Sequence, residues 1–139
     1  MGTSTDAILA FGFDLGEELP ESLEAAEDEG FDFDEWLAAK LGLPEWREGM
    51  TDDERTTHYA TKRAAIEAFP VDLITHCSYD CPMYFLAVRG TETSARRGYP
   101  QEVATPEIDP EKLSALRAFC EQNNIEWSEP KWQIFSLWG

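Results

Sequence analysis

The chain has 139 residues, long enough for one domain with a real core. Its formal net charge is −17, which argues against direct binding of duplex nucleic acid, since phosphate binding needs a cationic face. No apolar run approaches the ~20 residues of a membrane span, the N-terminus lacks the basic lead of a secretory signal, and three cysteines leave an odd thiol that fits a reducing cytoplasm.

Ala7-Ile-Leu-Ala-Phe-Gly-Phe13 is a continuous apolar run of strand length, and predicts a buried strand. An acidic stretch follows. Residues 14–35 hold eleven carboxylates, and the first basic residue in the chain is Lys40. Residues 1–36 contain twelve acids and no base, a charge of −12; the rest contains sixteen acids and eleven bases, only −5. Inside this stretch Pro20 predicts the start of a short helix, and Asp32-x-x-Glu35 has capping-box spacing that opens another through Leu41, stopped by Gly42 and Pro44. The carboxylates of Asp28 to Glu35 lack the spacing of a calcium loop, so solvated acidic loops are the expectation.

Thr51-x-x-Glu54 is a second capping box, opening a helix over 52–68 that Phe69-Pro70 ends. Tyr59, Ala60, Ala64 and Ile66, with Phe69, are its expected buried face, with Lys62 and Arg63 outward; His58 reads as a surface or core-edge histidine. Val71 to Cys77 and Met83 to Arg89 are runs of strand formers joined by Ser78, Tyr79 and Asp80, a predicted hairpin with Pro82 at the start of its second strand. Thr91 onward reads as a long loop with a short strand near 101–103. Asp109-Pro110 predicts a helix start, and Leu113, Leu116 and Cys120 share one face, which makes Cys120 a core thiol. Lys131 to Trp138 is the expected last strand, with tryptophans 127, 132 and 138 as core and rim packing.

Three constellations bear on chemistry. His76, Cys77 and Cys81 suggest zinc, but they form one cluster where a structural site needs two close pairs, and adjacent strand residues point to opposite faces. No metal and no cofactor is therefore predicted. Cys77 with Cys81 is able to form a local disulfide across the turn, transient in a reducing compartment. A cysteine nucleophile lacks a base within reach, and no phosphate loop, nucleophile elbow or metalloprotease helix is present, so the sequence supports no enzyme. Arg89, Arg96 and Arg97, with His76, Ser78 and Tyr79, either line an anion pocket or neutralise neighbouring acids.

Ser4-Thr-Asp-Ala-Ile-Leu-Ala-Phe-Gly-Phe13 and His76-Cys-Ser-Tyr-Asp-Cys-Pro-Met-Tyr-Phe85, with the arginine-glycine segment and the tryptophan-rich end, resemble small uncharacterised proteins encoded by bacteriophages and prophages. The resemblance covers most of the chain as scattered motifs. It implies expression in a bacterial cytoplasm and carries no activity. It also implies an aromatic at the position of Cys81 in similar sequences, so that Cys81 is no obligatory metal ligand or disulfide partner.

The expectation is a single α+β domain over 1–139. A mostly antiparallel sheet of strands near 7–13, 71–77, 83–89, 101–103 and 131–138 carries helices 52–68 and 110–123 on one face, with 14–36 as an acidic edge elaboration. The first functional expectation is an acidic interaction protein that occupies a basic, nucleic-acid-binding surface of a host bacterial protein, as a DNA mimic or defence inhibitor does. Its contact residues are Glu17, Glu18, Glu21, Glu24, Glu27, Asp28, Glu29, Asp32, Asp34 and Glu35. The alternatives are a binder of small anionic ligands, or a minor enzyme, using His76, Ser78, Tyr79, Arg89, Arg96 and Arg97, and an accessory globular protein whose acidity serves solubility alone.

Overall fold

Strand β1 runs from Thr5 to Gly16, longer than the apolar run that predicts it. The computed structural model describes residues 5–24, 32–44 and 47–138. Its contacts fall into two compact units, Met1–Glu24 with Pro70–Gly139, and Ala25–Phe69. The α+β class and the mostly antiparallel five-stranded sheet are as expected.

The first unit contains the sheet. After β1 and the single-turn helix α1 (Glu21–Glu24), it resumes with β2 (Val71–Ser78), β3 (Pro82–Val88), β4 (Thr93–Arg96), helix α4 (Pro110–Gln122) and β5 (Lys131–Trp138). The strand order is β3-β2-β5-β1-β4, and β3 also pairs with β1, so β1, β3, β2 and β5 form a closed ring of pairings. Among the described strands only the β2–β5 join, through Cys77 and Ser78 against Leu137 and Trp138, is parallel. A ring with three reversals and one parallel join closes only if its strands twist and bend strongly.

The pairing changes over on β1. Thr5 to Gly12 pairs with β5. On the other side of β1, Asp6 to Leu9 pairs with β4 and Gly12 to Gly16 with β3, with a register irregularity between Asp14 and Gly16. Phe11 falls between those two partners. Its N–H is satisfied by the Thr91 hydroxyl at 3.1 Å, which itself donates to the Val88 carbonyl at 2.7 Å. Gly12 permits the closest approach: a Cβ there would lie 2.0 Å from the Leu86 carbonyl oxygen.

One face of the ring holds Ile8, Ala10, Ile74, Phe85 and Ala87, packed with Phe135 and Leu137. The alternate residues Val71, Leu73, Leu86 and Val88 are buried on the other face. Helix α4 contacts β2 and β3 and buries Leu116, Phe119 and Cys120; Phe119 completes the stripe expected from Leu116 and Cys120. Asp109 caps this helix by accepting from the Glu111 N–H at 2.9 Å, with Pro110 in the first turn as predicted. Trp127 packs edge-on against Phe13 and Trp132 against Phe11, while Trp138 is exposed.

The fourth strand is not where the sequence places it. It lies at Thr93–Arg96, within the stretch read as loop, whereas residues 101–103 form no strand and Val103 is exposed. Gly90, at φ +87°, turns the chain directly out of β3, and the returning residues find open backbone groups on β1. That edge, rather than side-chain propensity, selects the strand.

The second unit contains α2 (Phe33–Lys40) and α3 (Asp52–Ala68), which contact each other. Both helix N-caps have formed: Asp32 accepts from the N–H groups of Asp34 and Glu35, and Thr51 from that of Glu54, but only Glu54 reaches back to its cap, Glu35 pairing with Lys62 instead. The expected buried face of α3 is corrected. Tyr59, Ala60 and Ala64 are exposed, and the inward stripe is His58, Lys62, Ala65, Ile66 and Phe69. Lys62 lies inward because its ammonium pairs with Glu35.

Candidate functional site

β2 alternates, and the alternation puts His76 on the same face as Ile74, inside the ring. His76 is the buried polar residue of the described core. Its Nε2 lies 2.8 Å from Oδ1 of Asp14 on β1, and its ring sits 4.7 Å from that of Phe135. An ionised carboxylate only accepts, so this bond needs the proton on Nε2.

The other residues expected to join His76 are not brought to it. Ser78 accepts from the Cys81 N–H at 3.0 Å, within the hairpin turn, and Tyr79 is 74 % exposed. Arg89 is at the far end of the hairpin, donating to the Val71 carbonyl at 3.2 Å and lying 3.5 Å from Asp72. His76 is five residue steps along the strand from Val71, about 16 Å. Arg96 is paired in the sheet with Asp6, and its guanidinium lies 5.8 Å over the Tyr99 ring. Arg97 uses its N–H on the Thr5 carbonyl at 3.0 Å, and both side chains are exposed. Three strand spacings, about 14 Å, separate Arg96 from Cys77 along the row Cys77, Leu137, Asp6, Arg96. The convergent anion pocket is therefore corrected: these cations serve separate parts of the sheet.

The acidic residues divide between the two units. Asp32 caps α2, Glu35 pairs with Lys62, and Asp34 is exposed in the helical unit. Glu17, Glu18 and Glu21 belong to the sheet unit, on the connection from β1 into α1; all three are exposed, and among the described residues no ion pair engages them. The Glu24 side chain, Glu27, Asp28 and Glu29 lie outside the described residues.

Glu18 and Glu21 border a groove of about 610 Å³. Asp14 and Glu126 add two more carboxylates, and Phe13 and Trp127 supply aromatic wall. Ser22, in α1, donates to the Asn123 carbonyl at 2.9 Å and so ties α1 to the end of α4, while Ile125 returns its N–H to the Cys120 carbonyl and turns the chain out of α4 along the groove. Sequence reasoning missed Glu126, whose neighbour Trp127 was its only local signal. Arg117 already places its guanidinium 5.4 Å over the Trp127 ring, so this aromatic attracts cations.

Cys77, Cys81 and Cys120 are free thiols. Cys77 has φ +70°, a left-handed conformation that is rare for a residue with a side chain. Among the described residues no group of three or more His, Cys, Asp or Glu side chains is placed to hold a metal ion. No helix of the described residues is long and apolar enough to cross a membrane. Compared with known protein families, curated proteins and solved structures, the chain matches none.

Proposed function

We propose that this chain is an acidic interaction protein, encoded by a bacteriophage, that binds a basic surface of a host bacterial protein in the cytoplasm and masks it from nucleic acid. The observation that carries the reading is the set Glu17, Glu18 and Glu21: exposed, close along one connection, beside a groove with two further carboxylates, and engaged in no ion pair among the described residues. An isolated surface carboxylate contributes little, but several that act together steer a cationic partner and fix its register. The phage origin rests on the resemblance of the Ser4–Phe13 and His76–Phe85 motifs.

The test is capture from bacterial lysate on immobilised protein at about 50 mM and about 300 mM salt, since contacts between exposed charges weaken with ionic strength. A nucleic-acid-binding protein retained at low salt, and released both by the higher salt and by added duplex DNA, is the expected result. Retention of no such protein, or of one that DNA does not displace, contradicts the reading and leaves the acidity to serve solubility.

A further inference from the structure

The turn between β2 and β3 carries a feature that partner binding does not use. Cys77 opposes Pro82 in the β2–β3 pairing, and Cys81 immediately precedes Pro82 in the chain. Opposed α-carbons in an antiparallel pair lie about 4.5–5.5 Å apart. The Ser78 hydroxyl, 3.0 Å from the Cys81 N–H, folds the turn back on itself and keeps Cys81 beside the end of β2. A disulfide needs α-carbons within about 7 Å, so the turn has the right scale. Cys81 is exposed and Cys77 half-buried, so reagents have a route to the pair. The left-handed backbone at Cys77 is a local strain at this position, and strain of that kind clusters where a segment has a second job.

We propose that Cys77 and Cys81 are a redox-active thiol pair that reacts with a low-molecular-weight disulfide and closes into an intrachain disulfide across the β2–β3 turn. One cysteine thiolate attacks a sulfur of the oxidant. The oxidant's S–S bond breaks, a protein mixed disulfide forms, and the first small thiolate leaves. The second cysteine thiolate then attacks the mixed disulfide at the protein sulfur and expels the second small thiolate. Two protein thiols are oxidised, one small disulfide is reduced to two small thiols, and the two protons pass from the cysteines to the leaving thiolates. Cys120 takes no part: it is on the buried face of α4, and burial, followed by the nearby charge of Glu121, pushes its thiol up to about 11.

The experiment is oxidation of the full chain with oxidised glutathione, alkylation, tryptic digestion and mass spectrometry. Cys77 and Cys81 share the peptide 64–89, and Cys120 lies on 118–131. The expected product is a 64–89 peptide lighter by two hydrogens and closed to alkylation, restored by dithiothreitol, with Cys120 modified only after denaturation. Cys77→Ser and Cys81→Ser each leave one thiol on 64–89, and the glutathione adduct on it should persist at least about tenfold longer than in the wild type, because the resolving thiol is gone. Two glutathione adducts on 64–89, an unreacted peptide, disulfide-linked chains, or equally persistent adducts in wild type and single variants would each overturn the proposal.

Discussion

His76 Nε2 meets Asp14 Oδ1 at 2.8 Å, joining β2 to β1 through the inside of the ring rather than along its hydrogen-bonded edge. Because His76 is buried, with its ring tilted against that of Phe135, removing its partner leaves a polar nitrogen in an apolar setting. Asp14→Ala should cost about 1–3 kcal/mol of unfolding free energy, and Asp14→Asn, which keeps an acceptor oxygen, less than about 1.5 kcal/mol. Urea denaturation followed by tryptophan fluorescence measures both. Equal losses in the two variants would show that the bond is not what holds His76.

The close approach at Gly12 makes a sharper demand. A methyl group there collides with the Leu86 carbonyl oxygen, which belongs to the β1–β3 pairing and cannot rotate away. Gly12→Ala should destabilise by about 3 kcal/mol or more, at the upper end for overpacking. A melting temperature within a few degrees of wild type would mean that β1 and β3 separate easily, contrary to the closed ring.

Thr91 should behave as a bridging residue. Thr91→Val keeps the shape and removes both the acceptor for the Phe11 N–H and the donor to Val88, for an expected loss of about 1–3 kcal/mol, while Thr91→Ser retains most of it. Hydrogen exchange at the Phe11 amide offers the direct check: it should accelerate in the valine variant and not in the serine variant.

Glu92 gives a dependence on pH. Partial withdrawal from water, then the negative charge of Asp72, holds its carboxyl above the usual 4.5. A raised acid pKa means that the folded chain binds this proton more tightly than the unfolded chain, so its contribution to stability falls as pH rises through 4.5 and then through the raised value. Glu92→Gln should therefore be more stable than wild type at neutral pH. The gain should vanish below about pH 4, where the carboxyl is protonated in both states. A gain that is the same at both pH values would place the effect elsewhere.

Much of this architecture is legible in the sequence, and the reasons are local. Asp32, Thr51 and Asp109 sit at helix starts because their side chains satisfy backbone N–H groups within three residues, a pattern visible in the sequence. β2, β3 and β5 are dense in strand formers. The rest depends on partners distant in sequence. Thr93–Arg96 is a strand because β1 offers an edge there, and α3 rotates inward on His58 and Lys62 rather than Tyr59 because Lys62 meets Glu35. The groove brings Glu18 and Glu21 beside Glu126, more than a hundred residues later, through the Ser22–Asn123 hydrogen bond. Arg89, Arg96 and Arg97 are close in sequence, and the sheet register moves Arg89 away from the other two.

Binding of a basic partner requires that Glu17, Glu18 and Glu21 be available to a cation. Fluorescence anisotropy of a labelled arginine-rich peptide, titrated with the wild type at several salt concentrations, measures that availability. The comparison is with Glu17→Gln/Glu18→Gln/Glu21→Gln, and with Glu102→Gln/Glu107→Gln/Glu129→Gln, which removes as many exposed charges elsewhere. The prediction is affinity that falls as salt rises, at least about tenfold weaker binding in the first variant, and a smaller loss in the second. Equal weakening in the two variants, or binding indifferent to salt, would contradict it.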